Sequence, residues 1–221
     1  MELNKAIWLE EDKHLFIAYL ENYRRKEKEE WTKKILNTKL DVLAMPTKTI
    51  HTIAQEISKG NFKSFLDLKI FTSYESIALY GMVLCKIKDF QTMKHYLTIY
   101  LDVMENWAHV DLLSLPITKE NKEDFIKLSH DYLTDMRPFV RRLSLMILFQ
   151  MRKDEDAYYV IMMAGWLLSE CIILYKDQTL TFISSHPDLN KKIVNKGIQK
   201  CRESLRFTQE EKDFLLQYKK K

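Results

Sequence analysis

The stretch "MPTKTIHTIAQEISKG", residues 45–60, reads as one complete short helix. Pro46 is pre-set for a first helical turn. Ile50, Ile53, Ala54 and Ile57 recur at a spacing that lines one face, and Gly60 falls just past the end. Outward from this unit the same pattern repeats almost from end to end. Breakers stand at "NTKLDVLAMPT" (37–47), "SKGN" (58–61), "FTSYE" (71–75), "SLPITKEN" (114–121), "MRPF" (136–139) and "SSHPDLN" (184–190). The segments between them are about 10 to 20 residues long, the usual span of globular helices. No alternating strand pattern persists. Near the C-terminus Thr208 precedes "QEEKDFLLQY" with Glu211 three residues on, the signature of a capping box.

Composition agrees. With 4 Gly, 4 Pro, 46% hydrophobic and 30% charged residues, the 221-residue chain is poor in turn formers and rich in helix formers. The expectation is an all-α protein in which short helices pair and stack as an α-solenoid of degenerate HEAT-like repeats, a single domain over residues 1–221, with a compact helical bundle as the other arrangement.

The formal charge of +4 permits nucleic-acid binding without demanding it, so a basic patch has to be local. Cys85, Cys171 and Cys201 are widely separated, with no CxxC pair and no Cys/His cluster at ligand spacing. They read as reduced core thiols of a cytoplasmic protein that uses no metal and no cofactor. The N-terminus carries acids where a signal peptide needs an apolar run. The most apolar window, Val160 to Tyr175, is too short to span a bilayer and contains Glu170, so it reads as a buried helix without a membrane partner.

One residue does not fit its pattern. If residues 97–115 form continuous helical turns, Leu97, Leu101, Met104, Ala108 and Leu115 make an apolar stripe on which Asp111 also falls, one turn after Trp107. A bare buried carboxylate costs several kcal/mol, so Asp111 must cap a helix, pair with an arginine, or face a cleft. An aromatic face beside a carboxylate suits a planar cation; ordinary core packing of Trp107 is the competing account. Two further stretches bear on the choice. "RPFVRRLSLMILFQ" points the adjacent Arg141 and Arg142 in different directions, one free for a phosphate or for Asp111. In "YYVIMMAGWLLSEC", Gly165 permits close approach and Trp166 is a second large aromatic.

Taken in order, "ILNTKLDVLAMPTKTIHTIAQEI", "NWAHVD", "FVRRLSLMILF" and "YYVIMMAGWLLSEC" resemble the AlkD-type DNA alkylation repair proteins, HEAT-like-repeat DNA glycosylases and their relatives, over roughly residues 30 to 218. The resemblance implies a monomeric solenoid whose concave basic face holds double-stranded DNA, alkylated or branched. It implies excision of cationic alkylpurines such as 3-methyladenine and 7-methylguanine by N-glycosidic hydrolysis. Matched by motif, Asp111 takes the place of the catalytic carboxylate, Arg142 that of an active-site arginine holding a phosphate, and Trp107 and Trp166 those of aromatics packed against the sugar and backbone.

The chain departs from the family pattern twice. The family's active members carry an extra N-terminal helix with an aromatic that completes the lesion site, whereas "AYLENYRRKEKEEWTKKILNTK" (18–39) reads without a clear break for one; Tyr23 and Trp31 are the aromatics on offer. A further helix is expected between "LFQMRK" and "DEDAYYV", where the spacing is short. Beside the glycosylase stand a relative that binds DNA without base excision and a protein-interaction solenoid.

Overall fold

The computed structural model describes residues 1–151 and 157–220, with the side chains of 157–159 left aside. The second departure falls on residues 152–156 and lies outside the described residues. Among the described residues there are thirteen α-helices, a short 3₁₀ turn at Leu215–Tyr218 and no strand, so the chain is all-α. It divides into two compact units, Met1–Gln150 and Met151–Lys221. No described helix is long and apolar enough to cross a membrane.

The first unit contains α1 (Asp12–Glu21), α2 (Lys26–Leu36), α3 (Thr47–Ile57), α4 (Phe62–Asp67), α5 (Tyr74–Leu84), α6 (Phe90–Val103), α7 (Trp107–Asp111), α8 (Lys122–Leu133) and α9 (Pro138–Gln150). Helix α3 is the unit read from residues 45–60. Pro46 stands at its N-cap, and Ile50, Ile53, Ala54 and Ile57 are all buried. Its apolar face packs on α5, every residue of which is buried, as expected of a helix apolar on all sides. Trp8, Phe16 and Phe65 form an edge-to-face cluster with centroids 5.1 to 5.5 Å apart that ties the N-terminal segment to α1 and α4. Helices α8 and α9 close on a pair of buried serines, Ser129 and Ser144, whose hydroxyls lie 3.0 Å apart.

Two sequence expectations change in this unit. Residues 18–39 are not one run but two helices, α1 and α2, broken at residues 22–25. The cause is a contact that local pattern does not carry: the Arg24 guanidinium pairs with Glu21 (2.6 Å), Glu29 (3.0 Å) and Asp41 (2.6 Å), and the Arg25 amide donates to the Leu43 carbonyl (2.8 Å). These partners fold the chain back on itself and start a second helix. Residues 97–115 are also not continuous. Helix α6 stops at Val103, and Asn106 caps a new helix by accepting the amides of Ala108 (3.0 Å) and His109 (3.1 Å). The restart resets the phase, so α7 buries Ala108, His109 and Val110 and turns Trp107 and Asp111 away from the core.

The second unit holds α10 (Ala157–Leu174), α11 (Lys176–Ser185), α12 (Lys191–Glu203) and α13 (Gln209–Phe214) around a core of Ile172, Leu180, Ile183, Val194, Ile198, Cys201, Phe207 and Leu215. Thr208 and Glu211 form the expected capping box at α13. Helix α10, read as buried, is only half-buried over most of residues 160–173, and Leu174 lies 67% exposed. Gly165 has the close neighbour its sequence suggested. A Cβ there would stand 2.7 Å from the Lys196 stem on α12, and one on Gly197 would stand 3.0 Å from the Gly165 carbonyl. Gly165→Ala is expected to destabilise this unit by about 1 kcal/mol net, because overpacking outweighs the gain in helix propensity. A lowered chemical denaturation midpoint checks it.

Candidate functional site

Helix α7 presents Trp107 and Asp111 on one face because they are four residues apart. Packing of α7 against α9 brings Arg142 to Asp111, where the guanidinium spans both carboxylate oxygens: Nε to Oδ1 at 2.8 Å and Nη2 to Oδ2 at 2.7 Å. The pair is partly open to water, with side-chain exposures of 31% for Asp111 and 45% for Arg142, so its stabilisation is of order 1 kcal/mol. What it supplies is orientation, since a planar fork on a carboxylate fixes both groups. The hydrogen bond to Asp111 also raises the Arg142 pKa. Arg141, its neighbour, turns instead to the carbonyls of Asp135 (2.7 Å) and Met136 (3.0 Å) and ties down the end of α8.

Trp107 and Asp111 open onto a groove of about 440 Å3. Helix α2 forms the opposite side, contributing Lys28, Trp31, Thr32 and Ile35 beside Arg25 at its N-cap. Trp31 is 66% exposed and Trp107 is 40% exposed, which is costly for indoles unless a ligand covers them. Ala44, Met45, Pro46 and Ile50 line it from the third side, with the buried Tyr74 and Glu75 packed in the wall. Arg142 does not line the groove; it holds Asp111 from behind. The Trp107 indole N–H donates to the Ile35 carbonyl at 3.2 Å, and the Thr38 hydroxyl bonds Glu105, so α2 is latched to the start of α7. Trp107→Phe removes the indole bond of that latch and leaves the Thr38–Glu105 bond, and is expected to cost about 0.5 to 1 kcal/mol, checked by thermal denaturation.

The inner face of α7 carries a buried polar group of its own. His109 is fully buried, stacked on Tyr74 with centroids 5.0 Å apart, and its Nδ1 accepts the Glu105 amide at 3.4 Å. That leaves Nε2–H to donate to the Tyr74 carbonyl at 3.2 Å. Burial lowers the His109 pKa to about 4, so the ring is neutral.

The structure therefore brings together three of the four residues singled out in the sequence, Trp107, Asp111 and Arg142. Trp166 lies on α10 of the second unit, where its carbonyl accepts the Ser169 hydroxyl at 2.6 Å. Of the placements the sequence left open for Asp111, it takes two, paired with an arginine and facing a groove, while Ala108 and Leu115 of the same stripe stay buried. Trp31 takes a place in the groove, while Tyr23 does not line it and its hydroxyl pairs with that of Tyr19 at 2.9 Å. Glu75 was missed altogether: the segment "FTSYE" reads as a breaker, and only the buried partners of its last residue show what that acid does. No set of His, Cys, Asp or Glu among the described residues is placed to hold a metal ion. No family model, curated protein or solved structure matches the chain.

Proposed function

We propose that the protein is a DNA glycosylase of the HEAT-like, AlkD-resembling kind, acting on cationic alkylpurines in duplex DNA, with its helix pairs serving as degenerate repeats. The observation that carries this reading is the groove itself: two exposed indoles, Trp31 and Trp107, with one oriented carboxylate at its edge and cations at its rim. The second helix α2 supplies an aromatic near the N-terminus, as the resemblance asks of active members. Trp166 takes no part in the geometry on which the reading rests.

The chemistry needs little more than this. A cationic alkylpurine is already an activated leaving group. When the C1′–N bond breaks, the electron pair stays with the base and neutralises it, leaving an oxocarbenium-like sugar. The Asp111 carboxylate opposes that charge and accepts a hydrogen bond from the incoming water, which adds to C1′ and gives up a proton to solvent. The Arg142 fork uses one acceptor site on each Asp111 oxygen and leaves another on each for water. The indoles pack on sugar and backbone, and Arg25 and Lys28 face phosphates; Lys28 has no acidic partner among the described residues.

The same fork supports a second reading, in which Arg142 keeps Asp111 occupied and the groove binds DNA without excision. Bulk-methylated duplex DNA at low and graded salt separates the two, with freed base and bound DNA recorded together. Freed 3-methyladenine and 7-methylguanine above the spontaneous rate support excision. Salt-sensitive binding alone supports the second reading, and absence of both removes DNA from the account.

A further inference from the structure

Glu75 occupies the second position of α5 with none of its surface exposed. Its Oε2 accepts the Leu43 amide at 3.0 Å and its Oε1 the Met45 amide at 3.2 Å. Among the described residues no cation pairs with it. Sealing a carboxylate from water without a counter-ion is costly; burial pushes its pKa up, and the loop amides act against that rise. An acid in such a place is the worst filler and a very good clamp for two N–H groups.

The clamped amides flank Ala44, whose φ of 55° lies in the left-handed region that a Cβ disfavours. This kink is the wall of the groove, since Ala44, Met45 and Pro46 line it. It is also the anchor of α2, because the Leu43 carbonyl accepts the Arg25 amide at 2.8 Å and Arg25 is the N-cap of the helix that carries Trp31. We propose that Glu75 is a positioning residue for the groove: its two oxygens hold the Leu43–Met45 kink and so set α2, with Trp31, across from α7, with Trp107. Glu75 touches no ligand in this arrangement. The inference concerns the groove of the proposed function and rests on that reading only for its DNA readout.

Glu75→Gln keeps the shape but has one carbonyl oxygen, and its amide N–H2 confronts a backbone N–H, so one clamp bond is lost. Three results are expected. The variant folds, the indole N–H resonances of Trp31 and Trp107 move, and affinity for a short duplex falls about tenfold. Adding Ala44→Gly, which accepts the kink without steric cost, restores both resonances and affinity in part. A folded Glu75→Gln with wild-type indole resonances overturns the proposal; a purely structural Glu75 would lower the denaturation midpoint, leave the resonances in place and ignore Ala44→Gly. If Glu75→Gln does not fold, amide exchange in the wild type decides. Leu43 and Met45 protected like α5 support the clamp, and exchange as fast as an open loop overturns it. Where the wild type binds no duplex, the resonances still judge Glu75 while the DNA reading falls.

Discussion

In the Asp111→Asn variant, release of alkylated purines from duplex DNA is expected to fall by a factor of about 100 or more, equivalent to about 2.7 kcal/mol of lost transition-state stabilisation. Asn matches Asp in shape but carries no charge to oppose the developing oxocarbenium ion. It also presents an N–H2 to the Arg142 fork, so one of the bonds now at 2.8 and 2.7 Å is lost and the side chain loses its fixed orientation. Binding should survive or strengthen, because a negative charge facing the phosphodiester backbone is gone. Stability should change by less than about 1 kcal/mol, since the pair is partly solvated. Those three readouts together separate a catalytic carboxylate from a structural one. A variant that releases base at the wild-type rate contradicts the role given to Asp111, and one that unfolds contradicts the view of the pair as an orienting contact.

Acidification should destabilise the first unit through His109 by about 3 kcal/mol in all, read from the pKa difference between the two states. Unfolded, the imidazole titrates near 6.5, whereas in the fold burial holds it at about 4. Between those values the unfolded chain binds a proton that the folded chain does not. The stability is therefore fully present above pH 6.5, declines as pH falls through the window, and is gone below about 4. Protonation puts a second N–H on the ring, opposite the Glu105 amide that now donates to Nδ1. Because Glu75, whose pKa is raised, acts in the opposite sense, the effect is read as a difference: chemical denaturation from pH 7 to 4 in wild type beside His109→Gln. The wild type is expected to show the steeper loss. Parallel curves would place the proton elsewhere. Since His109 is on the buried face of the same helix that bears Trp107 and Asp111, the groove should loosen in the same window.

What the sequence made legible follows the range of the interactions responsible. Helix α3 could be read because Pro46, the Ile50 to Ile57 face and Gly60 are local signals, and the capping box at Thr208 and Glu211 is equally local. The Trp107–Asp111 pairing and its arginine were visible as residue types at helical spacing. Their setting was not. Asn106 restarts the helix through its own side chain, and that restart sets which way Asp111 faces, towards the groove. The break at residues 22–25 depends on Arg24 reaching Asp41, and the groove wall depends on Glu75 reaching Leu43 and Met45 some thirty positions away. No periodicity carries such partners. By sequence Trp31 is one aromatic in a charged run, and only the separate helix α2 brings it into the groove that Trp107 also lines.

Excision is tested with two duplexes of one sequence, one carrying a single 7-methylguanine and the other a single hypoxanthine, each incubated with excess wild-type protein at low salt. The groove's carboxylate and indoles predict release of the cationic 7-methylguanine above its spontaneous rate, with hypoxanthine retained. Full binding of both duplexes with no release of 7-methylguanine, or equal release of both bases, would contradict it.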